Sequence, residues 1–164
     1  MGKNFIRVDD RLIHGQIITK WAINLEIKNI VAIDDKTAAN PMLKSIMTMS
    51  VPKNYKTYMC SMAESKEMIE KLDSEEGNNL IIVRFPSLLK ELCRNEFRPQ
   101  WINIGNVSKK EGAQYEITHN VFLSDADIEI LEVLHGEGLK ISFQLVPDTP
   151  LITWDKERHK YVRE

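Results

Sequence analysis

Leu80-Ile81-Ile82-Val83 is a run of aliphatic residues with no polar position in it. A strand wetted on one face alternates apolar and polar side chains. An unbroken run asks for burial on both faces, which is the setting of a strand inside a parallel sheet covered by helices. Similar short runs recur along the chain. They predict strands over Asn4–Val8, Asn29–Ile33, Lys56–Cys60, Leu80–Arg84, Trp101–Ile104, Ile117–Leu123 and Lys140–Val146.

Helical signals lie between these runs. Ser61-Met62-Ala63-Glu64 is a capping box, opening a helix that carries Met62, Met68, Ile69 and Leu72 on one face. Ser124 and Asp127 repeat the pattern ahead of Ile128, Leu131 and Leu134, with Gly136 and Gly138 ending that helix. Pro41 suits the first turn of a helix holding Leu43, Ile46 and Met47. A further helix starts near His14 and turns Ile17, Ile18, Trp21 and Ala22 towards the sheet. Strand and helix in alternation define an open, mostly parallel α/β sheet of about seven strands with helices on both faces. No linker or repeat interrupts the pattern, so residues 1–164 are expected to form a single domain.

The remaining bulk properties exclude several function classes. A formal net charge of −2 lacks the basic field of a nucleic-acid binder. Cys60 and Cys93 are far apart, which speaks against a disulfide framework or a cysteine metal site and for two small core residues. No apolar run approaches the ~18 residues of a membrane span, and the first residues turn acidic too early for a signal peptide. A cytoplasmic location is expected.

In open α/β sheets, chemistry collects at the carboxyl ends of the strands. The loops to read are therefore Asp9–Gly15, Asp34–Asn40 and Gly105–Gly112. The first is dense in reactive groups: Arg7-Val8-Asp9-Asp10-Arg11-Leu12-Ile13-His14-Gly15-Gln16. A neutral imidazole is a good nucleophile towards phosphorus. A neighbouring carboxylate fixes its tautomer by accepting from the second ring nitrogen. Asp9 and Asp10 both stand close enough, and Asp10 is the candidate catalytic carboxylate. An arginine fork, from Arg7 or Arg11, matches phosphate oxygens. Unpaired amides of Gly15, Gln16 and Ile17 at the helix start add to an anion site, and Gly15 permits close approach. His119 is read in a strand, His135 near a helix end and His159 in a charged tail, none with such neighbours. Asp34 and Asp35 resemble a pair that holds Mg²⁺, but helix capping or pairing with arginines is the reading preferred here.

The segment Arg7–Gln16, followed by Trp21, closely resembles the active-site segment of IIB components of the mannose/fructose/sorbose family of sugar phosphotransferase systems. Ile33-Asp34-Asp35, Ile102-Asn103-Ile104-Gly105-Asn106 and Gln144-Leu145-Val146-Pro147 are similar to later segments of the family, in the same order. Asn106 departs from the pattern, where a second glycine is expected, and Trp154–Glu164 has no counterpart.

The resemblance implies a cytoplasmic phosphoryl carrier, peripherally associated with the membrane. His14 would accept phosphate on Nδ1 from a phosphorylated IIA protein. It would pass it to a sugar held by the membrane components IIC and IID. Arg11 would contact the phosphate; no metal or other cofactor is implied, and no nucleic acid. Lys109 and Lys110 would then suit an acidic IIA surface. Two other readings compete: a receiver-like domain, and an α/β module that binds a phosphorylated metabolite without histidine phosphorylation. A receiver needs a phospho-accepting aspartate after a central strand and a lysine after a later one; Arg84-Phe85-Pro86 follows Leu80–Val83 and Gly105-Asn106 follows Trp101–Ile104 instead.

Overall fold

A computed structural model describes residues 2–94 and 97–162. Its centre is a seven-stranded sheet built from β1 (Asn4–Asp9), β2 (Ile27–Ile33), β3 (Lys56–Cys60), β4 (Asn78–Val83), β5 (Trp101–Asn106), β8 (Ile141–Phe143) and β9 (Ile152–Thr153). The order is β3-β2-β4-β1-β5-β8-β9. Every neighbouring pair is parallel except β8–β9, which closes the edge antiparallel.

Two expected strands are corrected. Ile117–Leu123 is a hairpin of β6 (Tyr115–Thr118) and β7 (Val121–Leu123), outside the main sheet. Its turn holds His119, which is therefore not in a strand and is fully open to solvent. The seventh strand of the sheet is β9, from the part of the chain where no strand was expected. Lys140–Val146 is shortened to Ile141–Phe143, because Gln144 turns its side-chain amide onto the carbonyls of Pro147 and Thr149.

Right-handed crossovers explain which face each helix covers. The connections from β1 to β2 and on to β3 run towards one edge. They place the turn Ile17–Trp21, α1 (Ala22–Asn24), α2 (Asp35–Ala38) and α3 (Pro41–Met49) on that side. The later connections run the other way and place α4 (Ser65–Asp73), α5 (Leu89–Leu92) and α6 (Asp125–Gly136) on the opposite face. Two cores result. One packs Ile17, Trp21 and Ala22 on Phe5, Ile30, Leu80 and Ile82; the other packs Ile69, Leu72, Leu131 and Leu134 on Ile6, Val31, Ile81 and Ile104. The run Leu80–Val83 is wholly buried because its alternate residues feed these two cores.

Both capping boxes form: Ser61 and Glu64 exchange bonds before α4, and Ser124 and Asp127 before α6. Gly138, at φ 87°, takes the left-handed position just past α6. Pro41 stands at the start of α3, capped by Asn40. Of the apolar residues of that helix Met47 is half-buried against the core, while Leu43 and Ile46 are exposed, because α3 lies at the β3 edge of the sheet. Cys60 and Cys93 are buried free thiols, and burial pushes both up to about 11. The tail is docked: Trp154 of α7 (Trp154–Glu157) is buried against Phe143, and its Nε1 donates to Glu132, which also pairs with Arg158. Arg163 and Glu164 lie outside the described residues. Among the described residues, no helix is long and apolar enough to cross a membrane.

Candidate phosphoryl-transfer site

The site forms where β1 ends, beside β5, at the point where connections leave the sheet in opposite directions. A loop from Asp10 to His14 joins β1 to the following helix. It is closed by the Leu12 amide donating to the Asp9 carbonyl at 2.9 Å. Leu12 sits at φ 57° with its side chain fully buried. A left-handed leucine costs about 1–2 kcal/mol, so the loop is held in this shape by its surroundings.

Asp9 is the centre. Its carboxylate has no solvent exposure. Oδ2 lies 2.7 Å from His14 Nε2 and 3.3 Å from Arg7 Nε. Oδ1 accepts from the Arg11 amide at 3.0 Å and from Arg11 Nε at 3.2 Å. Burial alone would raise the carboxyl's pKa. The His14 hydrogen bond, the Arg7 charge and the Arg11 amide outweigh it and hold the pKa below the ordinary value. A carboxylate acceptor requires that Nε2 carry the proton, which leaves Nδ1 with its lone pair. No described residue bonds to Nδ1, and the ring keeps 16% of its surface.

The expected site residues divide by their contacts. Arg11 is in place: 41% exposed, it reaches Asp9 and the Gln16 side-chain oxygen, and its Nη1 makes no hydrogen bond to any described residue. The amides of Gly15 and Gln16 likewise find no acceptor among the described residues, whereas the Ile17 amide donates to the His14 carbonyl at 3.0 Å.

Asp10 does not contact His14. Its Oδ1 accepts from Asn106 Nδ2 at 2.6 Å and its Oδ2 from the Ser108 amide at 2.8 Å, so it ties the His14 loop to the loop after β5. The alternation of a strand end explains the difference, since Asp9 and Asp10 leave in opposite directions. Arg7 is not at the surface of the site either. It is fully buried beneath the loop, because β1 points it into the sheet's packed face.

Three participants were not assigned from the sequence. Asp9 was an open alternative to Asp10. Arg84 donates to the Asp10 carbonyl, pairs with Asp34 at 3.2 Å and reaches Thr37, so it staples the first two loops together. Asn106 fills the place where a glycine was expected and uses its side chain on Asp10. Asp34 caps α2 through Thr37 and balances Arg84, while Asp35 accepts from the Met62 amide. Asp34 thus has the capping and pairing roles preferred for these aspartates, whereas Asp35 has neither. Lys110 lies over the Phe85 ring at 4.6 Å, and Lys109 is exposed beside it.

Fold and site together define an open α/β protein whose crevice presents a carboxylate-held histidine flanked by a half-exposed arginine. Residues 3–160 match the family described as the PTS system sorbose subfamily IIB component, and the chain belongs to that family. The fructose-specific EIIB component of Bacillus subtilis (strain 168) is 26% identical over 141 residues, covering 86% of each chain. The mannose-specific EIIAB component of Escherichia coli (strain K12) is 22% identical over 144 residues; this chain spans about 44% of its length. The crystal structure of manxB from Thermoanaerobacter tengcongensis superposes with a TM-score of 0.86, at 28% identity and 99% coverage of both chains. The match reaches residue 160, so most of the tail, for which no counterpart was expected, lies within the family's extent. Membership of this family disfavours the receiver-like and metabolite-sensing readings.

Proposed function

We propose that this chain is a cytoplasmic phosphoryl carrier that forms a phosphohistidine on Nδ1 of His14. It would receive the group from a phosphorylated IIA protein and deliver it to a sugar held by IIC and IID. That makes it a protein-Nπ-phosphohistidine–sugar phosphotransferase, peripherally associated with the membrane through those components, with residues 1–164 acting as one domain. The observation that carries the reading is the buried Asp9 on Nε2, which leaves Nδ1 as the nucleophile.

The chemistry follows from the contacts. The donor's N–P bond breaks and its electron pair stays with the donor nitrogen, while the Nδ1 lone pair of His14 forms the new bond. Because Nε2 keeps its proton, positive charge develops on the ring, and Asp9 balances it. Arg11 Nη1 and the amides of Gly15 and Gln16 are the free donors for the phosphoryl oxygens. Asp10 acts by holding the loop and makes no contact with the reacting atoms. Lys109 and Lys110 sit where an acidic donor surface would meet the rim. The test is intact mass after incubation with phosphoenolpyruvate, the general phosphotransferase proteins and a IIA protein. One phosphoryl group per chain, stable to base and lost in acid, is expected; no added mass would overturn the reading.

A further inference from the structure

A guanidinium has five N–H bonds to give. In Arg7 the Nε–H reaches Asp9 Oδ2 at 3.3 Å. Nη1 donates to Asn103 Oδ1 and, at 3.0 Å, to the Gln144 carbonyl. Nη2 donates to the Leu145 carbonyl at 2.9 Å and lies 3.3 Å from Asp9 Oδ2. Every nitrogen of the guanidinium is engaged. The group is also sandwiched: the Trp21 ring lies 5.1 Å from Cζ on one side, and on another is Gly105, where a Cβ would come within 2.1 Å of Cζ and Nη2. Only glycine leaves room for the guanidinium there. Arg7 therefore has neither an unengaged nitrogen nor an open path to a phosphoryl group, in contrast to Arg11.

We propose that Arg7 is a positioning residue for the transfer: it locks the Asp9 carboxylate so that His14 keeps Nε2 protonated and presents Nδ1 outward. The two arginines divide the work. Both bind Asp9 at rest, but Arg11 is half-exposed and must turn its free donors to an arriving phosphoryl group. Arg7 stays behind and keeps Asp9 ionised and oriented while Arg11 is engaged. The charged groups facing Asp9 are Arg7 from β1 and Arg11 and His14 from the loop; β5 contributes Asn103 and Gly105, and the segment after β8 only its carbonyls.

This inference rests on the carrier reading for its rate measurement but not for its spectroscopic one. Nitrogen chemical shifts of the His14 ring are recorded in the unphosphorylated full chain for wild type, Arg7→Gln and Arg7→Lys, with thermal melting to establish folding. Transfer from a phosphorylated IIA protein is followed against pH in the same samples. The wild-type ring should be the Nε2–H tautomer. In both variants it should become a tautomer mixture, with transfer slower by about 10-fold or more. Arg7→Gln should also move the acid limb of the pH–rate profile upward, because Asp9 loses a cation while its burial remains. Lysine should not rescue, since three donors on one nitrogen cannot meet this set of acceptors. If these variants do not fold, Gly105→Ala displaces the same guanidinium without removing it, and Asn103→Ser withdraws a single acceptor; both should show the tautomer mixing. A folded variant with wild-type tautomer and acid limb would overturn the proposal. So would slowed transfer with an intact tautomer, which would put Arg7 in contact with the phosphoryl group. A wild-type chain that accepts no phosphoryl group would sink the carrier reading, and the tautomer would still decide the role of Arg7.

Discussion

His14 Nε2 lies 2.7 Å from Oδ2 of Asp9, a carboxylate with no exposure to solvent. The relationship separates two adjacent aspartates by function. Asp9→Asn keeps the shape but lets the amide present either end to the ring and removes the balancing charge. Transfer should fall by about 10²-fold or more. Asp10→Asn leaves one oxygen for the two donors from Asn106 and the Ser108 amide, breaking one tie, and should cost about 1–3 kcal/mol of stability with a smaller loss of rate. Rate and melting temperature, measured on the same preparations, check the pair. The reverse ranking would restore Asp10 as the orienting group.

Labelling should be confined to His14. His119 is fully exposed beside Glu116, and His135 pairs with Asp155 near the end of α6. Neither has an arginine and a buried carboxylate around it, and His159 lies in the tail helix. His14→Ala should abolish phosphoryl uptake; substitutions at the other three should leave it at the wild-type level. Mass spectrometry of peptides from the labelled chain would show which holds.

Arg11→Ala and Arg11→Lys should both slow transfer, by about 10²-fold for the alanine. Nη1 is the free donor, and lysine, a point charge on a flexible stem, cannot keep the Asp9 contacts while reaching a phosphoryl oxygen. Melting temperature should change little, since Arg11 is 41% exposed and Asp9 keeps the buried Arg7 as its counter-charge. Wild-type transfer in Arg11→Lys would remove this role.

Asp9 and Asp34 give the chain an acid dependence of defined sign. For Asp34, burial raises the pKa, and bonds from Thr37 and Arg84 more than reverse it, so both carboxyls titrate below their ordinary range in the folded state. A depressed folded pKa stabilises the fold above the unfolded pKa of about 3.9. That contribution is lost as pH falls below this value towards the folded pKa. Melting temperature should therefore show no loss from these two groups between neutrality and about pH 5 and should fall steeply under pH 4. Asp34→Asn should flatten part of that fall.

Trp154 should be needed for the fold. It is fully buried, stacks near Tyr161 and meets Phe143 edge-on. Trp154→Ala should cost about 3–5 kcal/mol, visible as a lower denaturant midpoint. An unchanged midpoint would mean that the tail is not docked.

The sheet was legible because burial on both faces leaves a mark in sequence: Leu80–Val83 could be read as a central strand before any neighbour was known. The capping boxes at Ser61 and Ser124 were equally local signals. What escaped reading was set by distant contacts. β9 is a two-residue strand fixed by pairing with β8, and nothing in Ile152-Thr153 announces it. Ile117–Leu123 has strand composition, but His119-Asn120 turns the chain within it. At the site, the residue types pointed to histidine chemistry, yet the assignment of Asp10 over Asp9 and of Arg7 to phosphate depended on which face of β1 each leaves from. A clearer signal lay in Asn103 and Gly105: a polar residue and a glycine inside a buried strand suit a large charged neighbour on the adjoining strand.

Between Ile17 and Trp21 the helix after the loop winds as a π turn, with the Ala22 amide reaching back to the Ile17 carbonyl. Such a turn holds one residue more than an α turn, and one residue is worth about 100° of rotation. The sequence pattern of the loop end and that of the core end of this helix are thereby offset by one residue. Gly15 and Gln16 face the crevice, while Trp21 faces inward, close to Arg7 and within 2.9 Å of the Leu145 carbonyl. Rewinding this turn as a regular α turn with the chain length unchanged would rotate Trp21 by about 100° and swing the indole out of its slot. Every charged group of the site would still be present. In an alignment of such chains, a one-residue gap at this point would mark a helix that winds as a regular α turn while the histidine segment before it and the indole after it keep their places.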